Sequence, residues 1–147
     1  MSNPSTTGGG VTGGVTGGIK GLLRLEGLVV LAVASLAYGT MGGSWLIFAV
    51  LFLVPDLSML GYLRGPKLGA ALYNLGHSYI TPLALGAVAV SQAPEYQIYA
   101  LIWIAHIGFD RALGYGLKYS SSFGATHLGV IGKLRAAAKA TAREAAA

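Results

Sequence analysis

The sequence contains no cysteine, and only 10% of its 147 residues are charged. Without cysteine the chain forms neither disulfides nor thiolate metal sites, and it has no cysteine nucleophile. Soluble domains carry about 25% charged residues, so most of this chain has too little charge to face water. Hydrophobic residues make up 54%, and the 23 glycines suit the close helix packing found in lipid. The composition therefore indicates a single membrane domain.

Motifs of several other protein classes are missing as well. No phosphate-binding glycine loop of the P-loop type is present, and neither Ser58 nor Ser78 lies in a nucleophile elbow of the G-x-S-x-G type. No lysine lies in the middle of an apolar run, which argues against a retinal protein. Basic and aromatic residues do not interleave as they do in nucleic-acid-binding proteins, so we expect no nucleic-acid partner.

Four long apolar runs fill the chain between its two ends. Each is near the ~20 residues that a helix needs to cross a hydrocarbon core of ~30 Å. Each is apolar throughout rather than striped, unlike an amphipathic surface helix, and glycine- or proline-rich breakers separate the runs. We predict an all-α, four-helix transmembrane bundle with helices at about 19–38, 44–63, 67–92 and 96–116.

Two tails flank this predicted transmembrane domain, which spans 19–119. Residues 1–18 are a Gly/Thr-rich, repetitive stretch that cannot bury a core, so we expect a flexible tail. Residues 120–147 form a second, cytoplasmic tail, whose basic, Ala-rich end is helical by propensity. Within the third helix, Pro82 predicts a kink.

The ten lysine and arginine residues predict the orientation in the membrane. They lie at the start of helix one, in the helix 2–3 loop, at the end of helix four and in the C-terminal tail. In an up-down bundle all of these regions share one face, and the loops of the opposite face have neither lysine nor arginine. The positive-inside rule makes the basic face cytoplasmic. Both termini are therefore predicted to be cytoplasmic, with the lipid bilayer as partner.

Five ionisable side chains inside the predicted helices are functional candidates, since such groups are costly in a bilayer. They are Glu26, Asp56, His77, His106 and Asp110. At 1.5 Å of rise per residue, the carboxylates lie about 9–10 Å and the histidines about 15 Å from the cytoplasmic helix ends. Because successive helices run in opposite directions, all five fall in the cytoplasmic half. We predict that they form one polar pocket open to the cytoplasm.

Two histidines and three carboxylates are a ligand set for iron, manganese or zinc. The predicted ligands are His77, His106 and Asp110, with Glu26 and Asp56 completing the shell. The Glu-x-x-His pair of dinuclear helical bundles is missing, and a His-x-x-x-Asp pair at 106–110 replaces it at best. A second interpretation uses the two histidines, which lie at similar depth on antiparallel helices, as axial ligands of a haem.

Further residues are expected to support these ligands. Tyr73 and Asn74 precede His77 by about one helical turn and are predicted to orient it. Arg111 follows Asp110 directly in the sequence, so it is a candidate neighbour of the site.

Three functions are compatible with these residues. In the leading hypothesis the pocket binds a metal or acts on a small lipophilic molecule, and whether it is catalytic stays open. In the second, a homo-oligomer transports protons or cations along its intramembrane carboxylates. In the third, an accessory protein binds a larger membrane partner through Gly69, Gly76 and Gly108, and its carboxylates merely pair with Arg24 or Arg111.

Five segments resemble a small bacterial membrane family that is catalogued as a domain of unknown function. They are LLRLEG at 22–27, LVPDLSMLGY at 53–62, ALYNLGHSY at 71–79, HIGFDRALGYGLKY at 106–119 and THLG at 126–129. The resemblance covers about residues 20–132, and its most specific part is the fourth segment. It implies a multi-pass protein of the bacterial inner membrane, and it carries over no activity, substrate or cofactor.

The last of these segments adds His127 to the candidates. This residue lies beyond helix four, at the predicted cytoplasmic surface. It either folds back over the mouth of the pocket as a supporting residue or is an ordinary exposed loop histidine, and we favour the exposed loop.

Overall fold

The fold is taken from a computed structural model, which describes residues 14–15, 17–121, 123–132, 140–141 and 143–144. These residues are mostly helical, which confirms the all-α prediction. The elements are α1 (Gly17–Thr40), α2 (Trp45–Leu51), a 3-10 helix (Val54–Arg64), α3 (Pro66–Gly76), α4 (Ile80–Gln92), a 3-10 turn (Pro94–Tyr96), α5 (Gln97–Leu113), β1 (Ala125–Thr126) and β2 (Gly129–Val130). Residues 1–13 and most of the tail from 133 onward lie outside the described residues, so the predictions for them stay predictions.

The second apolar run forms two helices rather than one. α2 ends at Leu51, and the 3-10 helix begins at Val54 with Pro55 in its first turn. Pro55 has no backbone N–H to donate to the Leu51 carbonyl, and its ring crowds that carbonyl, so α geometry cannot continue. The tighter 3-10 winding takes over and carries Asp56 in its first turn.

The third apolar run is also broken, between α3 and α4. α3 ends at Gly76, and His77, with φ −115° and ψ 14°, leaves helical geometry. Pro82 lies in the first turn of α4, where its missing N–H is tolerated, but its ring crowds the carbonyl of Ser78. The kink predicted at Pro82 is therefore a complete break just before it, and that break contains His77.

The carbonyls at the broken end of α3 are hydrogen-bonded by side chains. The last carbonyls of any helix lack a partner within that helix, and here three side chains donate to them. Thr81 Oγ1 donates to Leu75 (2.6 Å), Trp103 Nε1 to Gly76 (2.6 Å) and Arg111 Nη2 to His77 (3.0 Å). Side chains from α4 and α5 thus bond three consecutive carbonyls at the break.

α1 lies along α5, and the two backbones touch at Gly27 and Gly108. A Cβ atom built on Gly27 lies 2.7 Å from the amide nitrogen of Ala112, and one built on Gly108 lies 2.7 Å from that of Leu31. Neither position has room for a side chain, so this close approach depends on glycine.

The 3-10 helix lies along α3 in a similar way. A Cβ on Gly69 would collide with the ring of Tyr62, and one on Gly76 would lie 3.1 Å from Ser58 Oγ. Together with Gly108, these are the glycines expected to contact a partner protein. The structure uses all three for packing inside the chain.

The chain after α5 folds back as a hairpin. Gly114 ends the helix in left-handed geometry (φ 94°), and the amide of Tyr115 donates to the Asp110 carbonyl (2.8 Å), as in a Schellman motif. β1 and β2 then pair antiparallel, with Ala125 and Leu128 fully buried. This part of the predicted tail is therefore packed against the helices.

One helical stretch among the described residues is long and apolar enough to cross a membrane. It is Trp45–Arg64, which comprises α2 and the 3-10 helix, whereas α4 is apolar but shorter. The stretch is consistent with membrane association.

We predict that Gly27→Ala lowers the thermal unfolding midpoint, because the added methyl group overlaps the backbone of α5. Overpacking of this kind costs about 1–3 kcal/mol. Gly21→Ala is the matched control, since it lies in the same helix with nothing within 4 Å of an added Cβ, and alanine there gains roughly 0.5–1 kcal/mol. Circular dichroism in detergent measures both midpoints, and equal values would contradict the close packing at Gly27.

Candidate metal centre

Three side chains from three separate elements converge inside the helical domain. Asp56 lies in the first turn of the 3-10 helix, His77 in the break after α3, and His106 in α5. The two Nε2 atoms of the histidines are 3.1 Å apart, and Asp56 Oδ1 lies 3.5 Å from that of His77 and 3.7 Å from that of His106. We call these three residues the His–Asp cluster.

His77 is fully buried and is held in one orientation by Tyr73. Its Nδ1 atom lies 2.9 Å from the Tyr73 carbonyl oxygen, and the two rings stack with their centroids 3.8 Å apart. Because a carbonyl only accepts, Nδ1 carries the hydrogen and donates it, which leaves Nε2 with a lone pair in the neutral ring. The preceding helical turn therefore aims a nitrogen lone pair at the cluster.

His106 faces His77 from α5 and is only 2% exposed. Since one hydrogen at most fits between two nitrogens at this distance, the pair shares either a hydrogen bond or a cation. His106 Nδ1 is buried without a hydrogen-bond partner in the described part of the chain, and the ring of Phe52 stands edge-on, 5.1 Å away between centroids. Packing rather than hydrogen bonding fixes the outer side of this ring.

Asp110 lies beside the cluster, one turn after His106. Its Oδ2 atom accepts a hydrogen bond from the Tyr73 hydroxyl (3.0 Å) and lies 3.5 Å from His77 Nε2. The Asp110 side chain is 13% exposed, whereas that of Asp56 is 35% exposed. Asp110 is thus a second carboxylate within reach of His77, and Tyr73 touches both residues.

The spacing within the cluster fits a bound metal ion. Zinc lies about 2.0–2.2 Å from nitrogen and oxygen ligands, so tetrahedral neighbours are roughly 3.3–3.6 Å apart and octahedral neighbours about 3 Å. The distances in the cluster run from 3.1 to 3.7 Å. Two histidines and one carboxylate are the donors of non-haem iron(II) triads and of catalytic zinc sites. The residues present therefore fit iron, manganese or zinc.

The arrangement does not fit the haem interpretation. Axial ligands stand on opposite faces of the macrocycle, with the iron between them. Here the Nε2 atoms of His77 and His106 face each other at hydrogen-bond distance, so no porphyrin fits between them.

Glu26, predicted to complete the same ligand shell, lies elsewhere. Its side chain is exposed on α1 and lines a separate cavity of about 180 Å³ with Tyr79, Arg111 and His127. The structure thus brings four of the five predicted ligands together and leaves Glu26 out. The reason is the rotational orientation of α1 about its own axis. At the height of Glu26 the face of α1 that touches α5 carries Gly27, so the Glu26 side chain points in another direction.

Arg111 and His127 border that second cavity. Arg111 Nη2 bonds the His77 carbonyl, and Nη1 donates to the Tyr115 carbonyl (2.9 Å). His127 Nδ1 accepts a hydrogen bond from the amide of Leu117 (2.8 Å). His127 is half-buried, so the exposed-loop interpretation is wrong. Burial lowers the pKa of His127, and the charge of Arg111 lowers it further.

Pairing with arginine does not account for the carboxylates. In the part of the chain that the structure describes, each side-chain ion pair within 4.0 Å joins a histidine to an aspartate. Arg24 and Arg111 bond backbone carbonyls instead, with Arg24 Nε 2.7 Å from the Ala112 oxygen. The pairing hypothesis is therefore wrong for these two arginines.

Asn74, expected to orient His77, holds Lys118 instead. Its Nδ2 donates to the Lys118 carbonyl (2.9 Å), and its Oδ1 accepts from the Lys118 amide (2.7 Å). Sequence reasoning counted Lys118 only as a charge at the membrane face and missed it as a site residue. The available signal was its position three residues after Tyr115 and directly before Tyr119, in the most specific of the family-like segments.

A cavity of about 370 Å³ adjoins the cluster, and both aspartates and Lys118 line it. The Lys118 Nζ atom lies 3.1 Å from the ring centroid of Phe123 and 4.4 Å from that of Tyr73, contacts that favour a cation. Burial lowers the pKa of Lys118 from 10.5 to about 8, although the charges of Asp110 and Asp56 oppose this shift.

Comparison with known proteins identifies the family of the chain. A family model described as a domain of unknown function (DUF4260) matches residues 20–131. No curated protein and no solved structure matches the chain. The family description names no activity.

We predict that the protein gains stability as the pH rises from about 8 to 10.5. In this window the unfolded chain keeps the Lys118 proton and the folded protein has lost it, so a rise in pH favours the folded state. Thermal unfolding of the wild type and of Lys118→Met, measured across this range, isolates the contribution. The gain should be smaller in the variant, and identical pH dependence in the two proteins would contradict the burial of the ammonium.

Proposed function

The chain belongs to the DUF4260 family, a domain of unknown function, and we propose that it is a membrane-embedded metal-binding protein. The ion is held by the His–Asp cluster, with Asp110 as an additional carboxylate. The observation that carries this proposal is the convergence of two imidazole Nε2 atoms and one carboxylate oxygen within 3.1–3.7 Å. Iron, manganese and zinc are the metals that this donor set fits.

The surroundings of the cluster support a functional ion. The second ring nitrogen of His77 donates to a carbonyl, which is the usual arrangement of a metal-binding histidine. Three protein ligands leave coordination positions for water or substrate, and a bound ion supplies Lewis-acid chemistry there. The adjoining cavity of about 370 Å³ has a largely apolar lining, which suits a small lipophilic molecule.

The protein surface supports embedding in a membrane. Large apolar side chains are exposed on each long helix, among them Leu36 (70%), Leu46 (75%), Leu63 (85%), Ile80 (78%) and Leu113 (51%). Soluble monomers rarely expose apolar patches beyond a few hundred Å², so lipid suits this surface better than water. The four crossings of the proposal are α1, α2 with the 3-10 helix, α3 with α4, and α5.

Contacts between helix ends support one orientation. Arg24 bonds the carbonyl of Ala112 at the end of α5. Lys20 Nζ lies 3.1 Å from the position of a Cβ added to Gly129 in the hairpin. The basic ends of α1 and α5 therefore adjoin each other. In our proposal this basic end is cytoplasmic, and the protein lies in the bacterial inner membrane with both termini inside.

A second candidate function is proton transport. Tyr73, Asp110, His77, His106 and Asp56 form a row of polar atoms with two hydrogen bonds, of 3.0 and 3.1 Å, and two longer steps, of 3.5 and 3.7 Å. A proton can follow this row once the two longer steps shorten to hydrogen bonds. Four crossings are few for a pore, so this function requires a homo-oligomer. Proton flux into liposomes, measured with the metal bound and removed, distinguishes transport from a metal-dependent function.

We predict that purified protein holds about one metal ion per chain, and that His77→Ala and His106→Ala each abolish binding because each removes an Nε2 ligand. The third histidine of the chain provides the matched control. His127→Ala should keep the metal, since His127 lines a different cavity. Mass spectrometry of the metals in detergent-purified protein measures the content. Metal retained in both cluster variants, or lost equally in His127→Ala, would overturn the proposal.

We predict that single cysteines report the proposed topology cleanly, because the chain has none of its own. Met41→Cys and Glu95→Cys lie in the loops without lysine or arginine, so a membrane-impermeant maleimide should label both in intact spheroplasts. Lys67→Cys, in the first turn of α3 at the basic end, should react only after permeabilisation. Labelling of Lys67→Cys in intact spheroplasts would contradict the orientation.

A further inference from the structure

Among the residues that the structure describes, Lys118 is the one cationic side chain lining the cavity beside the His–Asp cluster. The two aspartates that line the same cavity lie within 3.5–3.7 Å of cluster histidines. Once those carboxylates bind a divalent ion, the ion and Lys118 together leave the cavity with a net positive charge. An occupied centre would therefore attract an anion.

Hydrogen bonds on both sides fix the position of Lys118. Asn74 bonds its amide and its carbonyl from α3, only three residues before His77. On the opposite side, Lys118 lies across from Thr126 of the hairpin. The residues next to it make the hydrogen bonds there, since the Tyr119 amide donates to the Ala125 carbonyl (2.9 Å) and the His127 amide donates to the Leu117 carbonyl (3.1 Å). These contacts hold the residue at the mouth of the cavity, and only 6% of it is exposed.

The ammonium of Lys118 has aromatic neighbours and no close counter-charge. Nζ lies 3.1, 4.4 and 5.4 Å from the ring centroids of Phe123, Tyr73 and Tyr62. No carboxylate of the described residues lies within 4.0 Å of it. Burial of an ammonium is costly unless a partner compensates the charge. The rings supply part of this compensation, and an anion in the cavity would supply the rest.

The remaining lining determines what the anion must look like. Met59, Phe109, Leu113 and Ile131 give the cavity apolar walls. Its volume of about 370 Å³ lies near the lower end of the range for small-molecule sites, roughly 300–1,000 Å³. A ligand that uses both features has one anionic end and a short apolar body.

We propose that this cavity binds a small amphipathic carboxylate, with its anionic end on Lys118 and its apolar body along Met59, Phe109 and Leu113. The inference rests on the proposed function, since it names the substrate class of the same centre. Lys118 binds the ligand, and Asn74 is a positioning residue that places Lys118 over the cavity.

The first experiment compares three probes of equal length by calorimetry, using the full chain in phosphatidylcholine nanodiscs. Octanoate should bind at least about tenfold more tightly than octanol or octylamine, since a charge-assisted hydrogen bond is lost with either substitute. Lys118→Gln should abolish this preference, and Lys118→Arg should largely restore it. Lys67→Gln, a lysine outside the cavity lining, is the matched control and should bind as the wild type does.

The second experiment needs no variant and so avoids any folding defect. Reductive methylation of the wild-type protein, followed by mass spectrometry, measures the reactivity of each lysine. Octanoate should slow the modification of Lys118 several-fold and leave that of Lys67 unchanged, whereas octanol should protect neither. Equal modification of Lys118 with and without octanoate would overturn the proposal.

Parallel samples with zinc added or removed separate the two proposals. Metal binding without a Lys118-dependent preference for octanoate overturns this inference and leaves the metal centre standing. A Lys118-dependent preference in protein that binds no metal overturns the metal centre, and it leaves a carboxylate site that depends on Lys118 but is not the substrate site of a metal centre. Octanoate binding that needs the metal but survives Lys118→Gln also overturns the inference, because the metal then fills the role assigned to Lys118. Octanoate binding that disappears when phosphatidylglycerol replaces phosphatidylcholine overturns it too, because a lipid headgroup then occupies the site assigned to the ligand.

Discussion

The structure depends on hydrogen bonds to the backbone carbonyls where α3 breaks. A buried carbonyl without a donor costs about 1–3 kcal/mol, and an apolar environment offers no water to replace the donor. Thr81, Trp103 and Arg111 supply the donors. Because Trp103 and Arg111 both belong to α5, the break is attached to the helix that carries His106. The hydrogen bonds that stabilise the break therefore also bring the two histidines together.

Two prolines explain why the cluster forms where it does. Pro55 ends α geometry just before Asp56, and Pro82 prevents α3 and α4 from joining through His77. Each proline places a candidate ligand, Asp56 or His77, where the backbone leaves regular α geometry. The direction of the side chain there is not set by the α-helical period of about 3.6 residues. Irregular backbone of this kind is tolerated at membrane depth only where it is buried in protein or lines a cavity.

The apolar runs predicted the helical class, and residue counting predicted that the candidate ligands lie in the same half of the bundle, because height along a helix follows from its rise per residue. Rotation about the helix axis did not follow from counting. Glu26 therefore seemed to belong with the cluster, although its neighbour Gly27 faces α5. Lys118 was missed for a different reason. Its position depends on hydrogen bonds with Asn74, 44 residues away in the sequence, and on a hairpin. The hydrophobic periodicity of the sequence does not predict this hairpin.

The close packing of glycines joins four of the helices into two tight pairs, α1 with α5 and the 3-10 helix with α3. The candidate ligands come from both pairs, since Asp56 and His77 belong to one side and His106 and Asp110 to the other. The candidate metal centre lies at the interface between the two helix pairs. An ion bound there acts as a cross-link, so occupancy would be coupled to how far the pairs separate, and any movement along this interface would change the affinity of the site.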